Sequence, residues 1–259
     1  MKTAVISGGN GGLGRALAAG LEDRGWHCVL MDIDISGLDA SESCTPIAVD
    51  LTDIQALDQA ASQIIAARPS IDMVIYNAGV SQISTFANAD ITSHRRIFEI
   101  NYFAAVSMAG AFLKPIRDSR GTHLAISSVA GFAPLHGRTA YAASKHAMQG
   151  FFSSLRSEER AYGVRCLIAA PSFVATNIGN ANSTDGKIVR PGSAADGIDY
   201  MSPETAAKVI LKGAETGREF IPVGRVSRLA SLIMRASPRL YQRLMQRKIV
   251  MDDPKQDKH

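Results

Sequence analysis

The sequence lacks the residue patterns that mark a metalloprotein or a secreted, disulfide-stabilised protein. It has three cysteines, Cys28, Cys44 and Cys166, which are odd in number and too widely spaced for a disulfide framework or a metal site. The six histidines form no H-E-x-x-H or similar cluster, so we predict no metal. We expect Cys28 and Cys166 to be small buried hydrophobic residues in strands.

Long apolar runs and a leader segment are also missing. No apolar run reaches the roughly 18–20 residues of a transmembrane helix. A strand is predicted two residues after Met1, where no signal or transit peptide fits. We therefore expect a soluble protein in the reducing cytoplasm.

Excess positive charge is confined to the carboxyl-terminal end. The formal net charge is +4, but the segment from residue 217 onward has ten Lys/Arg and four Asp/Glu, which leaves −2 for the rest. Because the body is not basic and no nucleic-acid motif is present, we predict no nucleic-acid partner.

The amino-terminal segment has the pattern of a dinucleotide-binding unit. A short apolar strand over residues 2–7 leads into Gly8-Gly9-Asn10-Gly11-Gly12-Leu13-Gly14, and Leu13, Leu17 and Leu21 then follow at helical spacing. Glycines in such a turn let backbone N–H groups approach a pyrophosphate at a helix N-terminus. The alternative is a flexible glycine turn in another kind of α/β protein.

A second predicted strand, residues 28–31, ends at Asp32, eighteen residues after Gly14. An acidic side chain there can accept hydrogen bonds from both adenosine ribose hydroxyls and would repel a 2′-phosphate. No Lys or Arg occurs in residues 8–14 or between Asp32 and Pro46. The pattern favours NAD(H) over NADP(H), although Asp32 could instead only cap a strand end.

A set of proton-transfer residues stands in the middle of the chain. Tyr141 and Lys145 are one helical turn apart, and Ser128 lies thirteen residues before Tyr141. We expect the ammonium of Lys145 to lower the pKa of the phenol, which is ordinarily about 10, and Ser128 to hold the substrate oxygen. The side chain of Ser127 should point to the opposite face of the sheet.

Strands and helices alternate along the chain, which predicts an α/β fold: a doubly wound, mostly parallel sheet with helices on both faces. The predicted strands are 2–7, 28–31, 47–49, 72–76, 122–126, 164–170 and 219–222, and the later helices are 53–67, 92–116, 138–162 and 203–216. We expect Thr52 and Ser202 to be N-caps, with Pro203 in the first turn. The glycine turn, Asp32, Asn77, Ser128 and Pro171 all follow strands, so they should meet at one edge of the sheet.

These motifs together resemble the short-chain dehydrogenase/reductase family, in its single-domain branch of about 250 residues. The resemblance runs from Lys2 to about Pro222. The family's glycine motif corresponds to Ser7 through Gly14, its adenine-contacting acidic position to Asp50-Leu51, and its N-N-A-G element to Tyr76-Asn77-Ala78-Gly79. Its P-G-x-x-x-T element corresponds to Pro171 through Thr176, with Ser172 in place of the glycine.

The resemblance implies a catalytic set and a cofactor site. The catalytic set is Asn101, Ser128, Tyr141 and Lys145, in which Asn101 holds a water that links the lysine to solvent and Lys145 also contacts the nicotinamide ribose; a purely structural amide is the alternative for Asn101. The implied cofactor-binding residues are Ser7, Gly8, Asn10, Gly12, Leu13, Gly14, Asp32, Asp50, Leu51, Asn77, Ala78, Gly79, Tyr141, Lys145, Pro171 and Thr176.

The function that follows is NAD(H)-dependent interconversion of a secondary alcohol and a ketone. The alternatives are an NADPH-dependent carbonyl reductase on the same fold and a non-catalytic NAD-sensing protein. Ser128 together with Phe132, Pro134, Leu135 and His136 should line the substrate pocket and favour an apolar or aromatic substrate; His136 could instead be an exposed loop residue. The segment 177–201 should be a lid over the substrate.

The chain should divide into a catalytic domain, residues 1–224, and a basic, apolar helical extension with a polar tail, residues 225–259. The extension could lie on a membrane or an amphipathic substrate. We favour the other interpretation, a pair of helices that cover the pocket entrance or a subunit contact. Ala147, Phe151 and Phe152 on the Tyr141 helix suggest a homodimer or homotetramer interface, or else an ordinary core face.

Overall fold

The computed structural model of the protein describes residues 1–176, 188–189 and 200–252, and only the backbone of 189 and 247–252. Its strands are β1 Thr3–Ser7, β2 His27–Asp32, β3 Cys44–Ala48, β4 Met73–Tyr76, β5 Ser81–Gln82, β6 Thr122–Ile126, β7 Arg165–Pro171, β8 Ile188–Val189 and β9 Phe220–Val223. Its α-helices are α1 Gly12–Glu22, α2 Ile54–Ala67, α3 Ile91–Phe98, α4 Ala104–Ala111, α5 Leu113–Ser119, α6 Thr139–Glu159, α7 Pro203–Glu215, α8 Arg225–Ala236 and α9 Pro238–Asp252.

Seven strands form one sheet in the order β3-β2-β1-β4-β6-β7-β9, and every pairing in it is parallel. Side chains alternate along β1, so Ala4 and Ile6 pack in the layer that contains Leu17, whereas Val5 packs in the layer that contains Phe152. Helices therefore cover both faces, which confirms the doubly wound α/β prediction. The strand order reverses between β1 and β4, and such a reversal opens a crevice at the carboxyl ends of the strands.

The predicted N-cap of α2 was wrong by one residue. The helix begins at Ile54, and its cap is Asp53, whose carboxylate accepts a hydrogen bond from the Ala56 backbone N–H at 3.1 Å. Thr52 lies one residue before the cap position, and its hydroxyl instead donates to the carboxylate of Asp50 at 2.7 Å. The other predicted cap is confirmed, since the Ser202 hydroxyl accepts from the Thr205 N–H at 3.2 Å.

The single helix predicted over 92–116 was also wrong. It is divided into α3, a π-helical turn at Glu99–Phe103, α4 and α5, with a break at Phe112. The π-turn carries Asn101, whose amide bonds both backbone groups of Val80. A local pattern of apolar residues does not contain this contact, which joins two separate segments.

Other boundaries differ by a few residues. The third strand is Cys44–Ala48 rather than 47–49, and α6 ends at Glu159, before a 3-10 turn at Arg160–Tyr162. Cys28 and Cys166 are buried in strands, as predicted. None of the described helices is long and apolar enough to span a membrane.

Two further expectations have mixed outcomes. Phe152 is fully buried against Tyr76, with ring centroids 4.6 Å apart, so this residue belongs to the core and not to an interface. Phe151 is partly buried, and a homo-oligomer stays a prediction.

The lid expected at 177–201 lies almost entirely outside the described residues, apart from 188–189 and 200–201.

A buried imidazole between β4 and β6 predicts sensitivity to acid. The His123 Nδ1 atom is 2.6 Å from the Tyr76 hydroxyl, and burial lowers the pKa of His123 from 6.5 to about 4. Between those pH values the unfolded chain binds a proton that the folded chain does not, so the free energy of unfolding should fall as pH drops, by about 3 kcal/mol in full. Urea unfolding at pH 7 and at pH 4.5 measures how much the free energy of unfolding drops between the two. That drop should be about 2–3 kcal/mol smaller in His123→Gln than in wild type. The exposed His146 gives a matched control, His146→Gln, and equal losses in all three proteins would contradict the assignment.

Candidate active site

The carboxyl edge of the sheet contains a cleft of about 360 Å³. Most of the predicted site residues line it: Gly8, Gly12, Leu13, Asp32, Asp50, Leu51, Asn77, Ala78, Gly79, Ser128, Leu135, Tyr141, Lys145, Pro171 and Thr176. The convergence expected from strand ends is therefore present, although these residues are spread over positions 8–176 of the chain.

The glycine turn at one end of the cleft is shaped by close backbone contacts. A Cβ atom on Gly14 would lie 2.2 Å from the Gly8 carbonyl oxygen, and one on Gly12 would lie 2.8 Å from the Thr176 carbonyl oxygen. Gly8 has a positive φ of 63°, which favours glycine. Gly11 precedes α1 without a side-chain cap, so no side chain of its own occupies the first N–H groups of the helix, and Gly11 and Gly12 line the cleft. This cradle fits the pyrophosphate of a dinucleotide.

Ser7 and the Asn77 side chain hold the glycine turn against the end of β4. The Ser7 hydroxyl accepts from the backbone N–H groups of Asn77 at 3.0 Å and Ala78 at 3.1 Å. The Asn77 amide in turn donates to the carbonyls of Ser7 and Gly8 at 3.1 and 2.9 Å. Ser7 itself does not line the cleft, so its contribution is to position Asn77 and Ala78.

Asp32 ends β2 and is buried at the cleft wall. Its carboxylate accepts from the Asn10 backbone N–H at 3.0 Å, which ties the glycine turn to the second strand. The Asn10 side chain points elsewhere, because its amide donates to the carbonyls of Asp34 and Ser36. Asn10 therefore does not line the cleft, and its direct contact with a cofactor stays a prediction.

Arg15 directly follows Gly14, the last residue of the glycine turn. Its guanidinium donates to the Asn10 side chain at 2.9 Å and to the Ser36 carbonyl at 3.3 Å. A positive charge therefore reaches the segment that follows Asp32. The position of Arg15 directly after the glycine turn was visible in the sequence. The direction of its side chain was not.

Asp50 and Leu51 form the cleft wall beside β3. The Asp50 carboxylate accepts two hydrogen bonds from Thr52, which hold the pKa of Asp50 below its usual value; the charge of Arg96 acts in the same direction. Asp50 is therefore ionised at neutral pH. Arg96 also lines the cleft and was missed from the sequence, because it lies on α3 and has no motif of its own.

Ser128 and Tyr141 are neighbours at the other end of the cleft. Burial raises the pKa of the Tyr141 phenol above its usual value, and the Ser128 hydrogen bond and the charge of Arg138 only partly oppose this. The Ser128 hydroxyl also accepts from the Ala130 N–H at 3.1 Å, which fixes its position. Tyr141 is therefore a protonated phenol at neutral pH in the protein described here.

Lys145 does not lower the Tyr141 pKa as predicted. Its Nζ lies 5.9 Å from the Tyr141 ring centroid and donates to the Ile126 carbonyl at 2.9 Å. Burial lowers the pKa of Lys145 to about 8, so the charged form of the lysine is itself destabilised at this position beside Tyr141. Burial is the largest cause of the raised pKa of Tyr141, and the groups that oppose it are Ser128 and Arg138, not Lys145.

Asn101 is fully buried and does not line the cleft. Its carbonyl oxygen accepts from the Val80 N–H at 2.7 Å, and its amide donates to the Val80 carbonyl and to the Ser144 hydroxyl. Ser144 donates in turn to the Tyr141 carbonyl at 2.8 Å. The amide thus links the segment after Gly79 to the turn of α6 that carries Tyr141 and Lys145, as expected of a structural amide. The water that the resemblance implies stays a prediction.

The end of β7 closes the cleft. A Cβ atom on Gly224 would lie 2.3 Å from the Ser172 hydroxyl oxygen, so the absence of a side chain at Gly224, where φ is 92°, makes room for a serine in place of the expected glycine. Ser172 also lines the cleft. The Ser127 side chain makes two hydrogen bonds to α6. It accepts from the Gln149 amide at 3.0 Å and donates to the Lys145 carbonyl, and so helps to fix the position of the helix.

Of the residues predicted to line the substrate pocket, Ser128 and Leu135 line the cleft, and Phe132, Pro134 and His136 do not. The side chains of Pro134 and His136 are exposed, whereas Leu135 between them faces the cleft. Arg138, Phe173 and Tyr200 do line the cleft and were missed. Arg138 lies three residues before Tyr141, at helical spacing, which was an available signal.

Proteins of known sequence resemble this chain over most of its length. The sequence model described as short chain dehydrogenase matches residues 2–187. A protein of Xenopus laevis named Dehydrogenase/reductase SDR family member 7B is 31% identical over 260 residues, covering 93% of this chain and 80% of the relative. The Bos taurus protein of that name is also 31% identical, with 93% and 79% covered.

Solved structures resemble the fold as well. A short chain dehydrogenase from Burkholderia cenocepacia in complex with NADP has a TM-score of 0.83 at 21% identity, covering 94% of this chain and 96% of that one. A short-chain dehydrogenase from Streptomyces avermitilis has a TM-score of 0.80 at 22% identity, covering 97% and 98%. Sequence and fold agree: the chain belongs to the short-chain dehydrogenase family of oxidoreductases.

Proposed function

We propose that the protein interconverts a secondary alcohol and a ketone with NAD(H), and that Tyr141 transfers the proton. The observation that carries the proposal is that Ser128 and Tyr141 line one cleft together, with Lys145 on the next turn of α6, and that the other end of this cleft is the glycine cradle. A proton donor and a pyrophosphate cradle in one cleft serve the two halves of a dehydrogenase reaction.

Each residue at this end of the cleft has a separate role in the proposed reaction. When bound, a nicotinamide dinucleotide supplies or accepts the hydride. In the reductive direction the Tyr141 hydroxyl gives its proton to the carbonyl oxygen, and in the oxidative direction the Tyr141 phenolate takes the alcohol proton. Ser128 holds the same oxygen by a hydrogen bond. Lys145, fixed on the Ile126 carbonyl, lies beside Gly79, where a Cβ atom would be 3.5 Å from its Nζ.

The substrate should be an apolar or aromatic ketone or alcohol. Leu135, Phe173 and Tyr200 lie in the cleft wall together with Val129, which directly follows Ser128. An absorbance assay at the reduced-nicotinamide band, with aromatic and aliphatic ketones and with short hydroxy acids, tests this. Turnover of the apolar ketones supports the proposal. Tight NADH binding without turnover of any substrate would favour an NAD-sensing protein instead.

Two observations bear on the cofactor in opposite ways. The buried carboxylate of Asp32 favours a ribose with two free hydroxyls, and hence NAD(H). The guanidinium of Arg15 reaches Ser36, in the segment after Asp32, and would favour a 2′-phosphate. The NADP bound by the Burkholderia enzyme makes an NADPH-dependent carbonyl reductase the second candidate. We propose NAD(H), because Asp32 is the closer of the two to the cleft, which it lines and Arg15 does not.

Cofactor preference should therefore change with these two side chains. Wild type should show a higher kcat/KM with NADH than with NADPH. Asp32→Ala should lower that ratio by roughly ten- to a hundred-fold, since a charge-assisted contact and a repulsion are both lost. Arg15→Gln should raise the ratio. A wild type that prefers NADPH would contradict the NAD(H) proposal and support the second candidate.

The pH dependence should differ between the two directions. A raised pKa keeps Tyr141 protonated to higher pH, so the acid needed for reduction is abundant at neutral pH and the base needed for oxidation is scarce. With saturating cofactor, kcat for oxidation should rise by about ten-fold per pH unit from pH 7 toward 9, while kcat for reduction stays nearly flat. An oxidation profile that levels off below pH 7 would contradict this assignment.

A further inference from the structure

Four leucines are exposed on the last two helices. Leu229 and Leu232 on α8 are 59% and 64% exposed, and Leu240 and Leu244 on α9 are 49% and 45% exposed. Together they are one third of the exposed large hydrophobic side chains among residues whose side chains the structure describes. The helix faces that carry them are not the faces packed on the protein.

The inward faces of α8 and α9 are anchored beside the active site. Ala230 packs in a small core with Val129 and Ala133, against which Met234 and Tyr241 also pack. The Ser227 hydroxyl, buried on the same side of α8, donates to the Ala170 carbonyl at 2.6 Å. The two helices are therefore held on the segment that follows Ser128, and their leucines face away from it.

The charged side chains of α8 and of the described part of α9 are all positive. Residues 225–246 contain five arginines and no Asp or Glu. Arg225 is four residues before Leu229 and Arg228 is four before Leu232, so each pair shares a side of α8. Arg239 and Arg243 stand next to Leu240 and Leu244 and are also exposed. Arg235 lies 6.0 Å from the Phe220 ring, on the protein side.

We infer that this outward surface of α8 and α9, defined by the four leucines and by Arg225, Arg228, Arg239 and Arg243, binds the surface of an anionic lipid bilayer. Leucines enter the boundary between headgroups and acyl chains, and the arginines pair with lipid phosphates. A nucleic acid would satisfy the arginines but leave the leucines in water. A second copy that presents the same surface would bring arginines against arginines.

The inference does not depend on the proposed reaction. It places the bilayer on the far side of α8 and α9 from Val129, which lines the cleft. It also differs from the interpretation favoured from the sequence alone, in which these helices only cover the pocket or a subunit contact, because the exposed fractions of the leucines were then unknown.

Vesicle flotation of the full chain tests the inference. Vesicles of phosphatidylcholine with about one fifth phosphatidylglycerol should carry wild type upward at low salt, and pure phosphatidylcholine vesicles should carry much less. Leu229→Ser/Leu232→Ser/Leu240→Ser/Leu244→Ser should weaken partitioning by more than about ten-fold, since apolar insertion is lost. Arg228→Gln/Arg239→Gln/Arg243→Gln should also weaken it by more than about ten-fold and reduce the salt dependence. The matched control is Ile54→Ser/Ile65→Ser on α2, which removes two other exposed apolar side chains and should bind like wild type.

A second readout does not rely on loss of binding. Leu240→Trp should be quenched by vesicles that contain brominated acyl chains, and Phe86→Trp, at another exposed position, should not be. The inference is overturned if wild type ignores anionic vesicles, if the four-leucine variant floats as wild type does, or if both tryptophans are quenched equally. It is also overturned if light scattering finds that the four-leucine variant converts a dimer to a monomer, since a second copy would then cover the surface.

Discussion

Replacing Tyr141 by phenylalanine should lower kcat in both directions by about 10²- to 10⁴-fold, the usual contribution of a positioned proton donor. The phenyl ring keeps the volume of a side chain that is almost fully buried, so the free energy of unfolding should change little. Affinity for NADH should stay within a few-fold of wild type, because the glycine cradle and Asp32 are at the other end of the cleft. Steady-state kinetics and NADH fluorescence titration measure the two quantities separately.

The control for this variant is Tyr162→Phe, which removes a phenol that is half exposed, stacks on Arg117 at 3.7 Å and does not line the cleft. It should leave kcat unchanged. If Tyr141→Phe retained more than about one tenth of the wild-type rate, proton transfer by this phenol would be refuted.

Replacing Gly14 by alanine should disable cofactor binding. Its Cβ would lie 2.2 Å from the Gly8 carbonyl oxygen and 3.0 Å from the Gly9 Cα, both of them backbone atoms that no side-chain rotation can move. The start of α1 must therefore shift away from the turn. We expect NADH affinity to fall by roughly 100-fold, as small displacements of binding groups do, and the free energy of unfolding to fall by about 1–3 kcal/mol.

Gly110→Ala is the matched control, because Gly110 is an exposed residue of α4 with no atom within 4 Å of an added Cβ. Alanine in place of a helical glycine should stabilise the fold by about 0.5–1 kcal/mol and leave NADH binding unchanged. Isothermal titration and urea unfolding of the two variants give the comparison. Equal NADH affinity in Gly14→Ala and wild type would mean that the turn is not the cradle.

Much of the fold could be predicted because its signals are local. Apolar strands that alternate with helices, and polar or glycine residues after each strand, are enough to predict a parallel sheet with a site at its carboxyl edge. Asp32, Ser128 and Pro171 could be assigned to that edge without any knowledge of contacts. Their place in the cleft follows from strand direction alone.

The errors arise where a contact joins distant parts of the chain. The π-turn at Asn101 exists beside Val80, which no pattern within 92–116 contains. The direction of the Asn10 side chain depends on Asp34 and Ser36, and the exposure of Pro134 and His136 depends on how their loop turns. The pKa of Tyr141 was predicted from the charge of Lys145, whereas burial, which the sequence does not give, has the larger effect.

The most direct test of the reaction is transfer of deuterium from NADH that carries it at C4 of the nicotinamide to an apolar ketone, followed by mass spectrometry of the alcohol. Wild type should place deuterium on the carbinol carbon, and Tyr141→Phe should form at least about 100-fold less labelled alcohol while still binding NADH. Equal labelling by the two proteins, or NADH binding by wild type with no labelled alcohol from any ketone tried, would contradict the account.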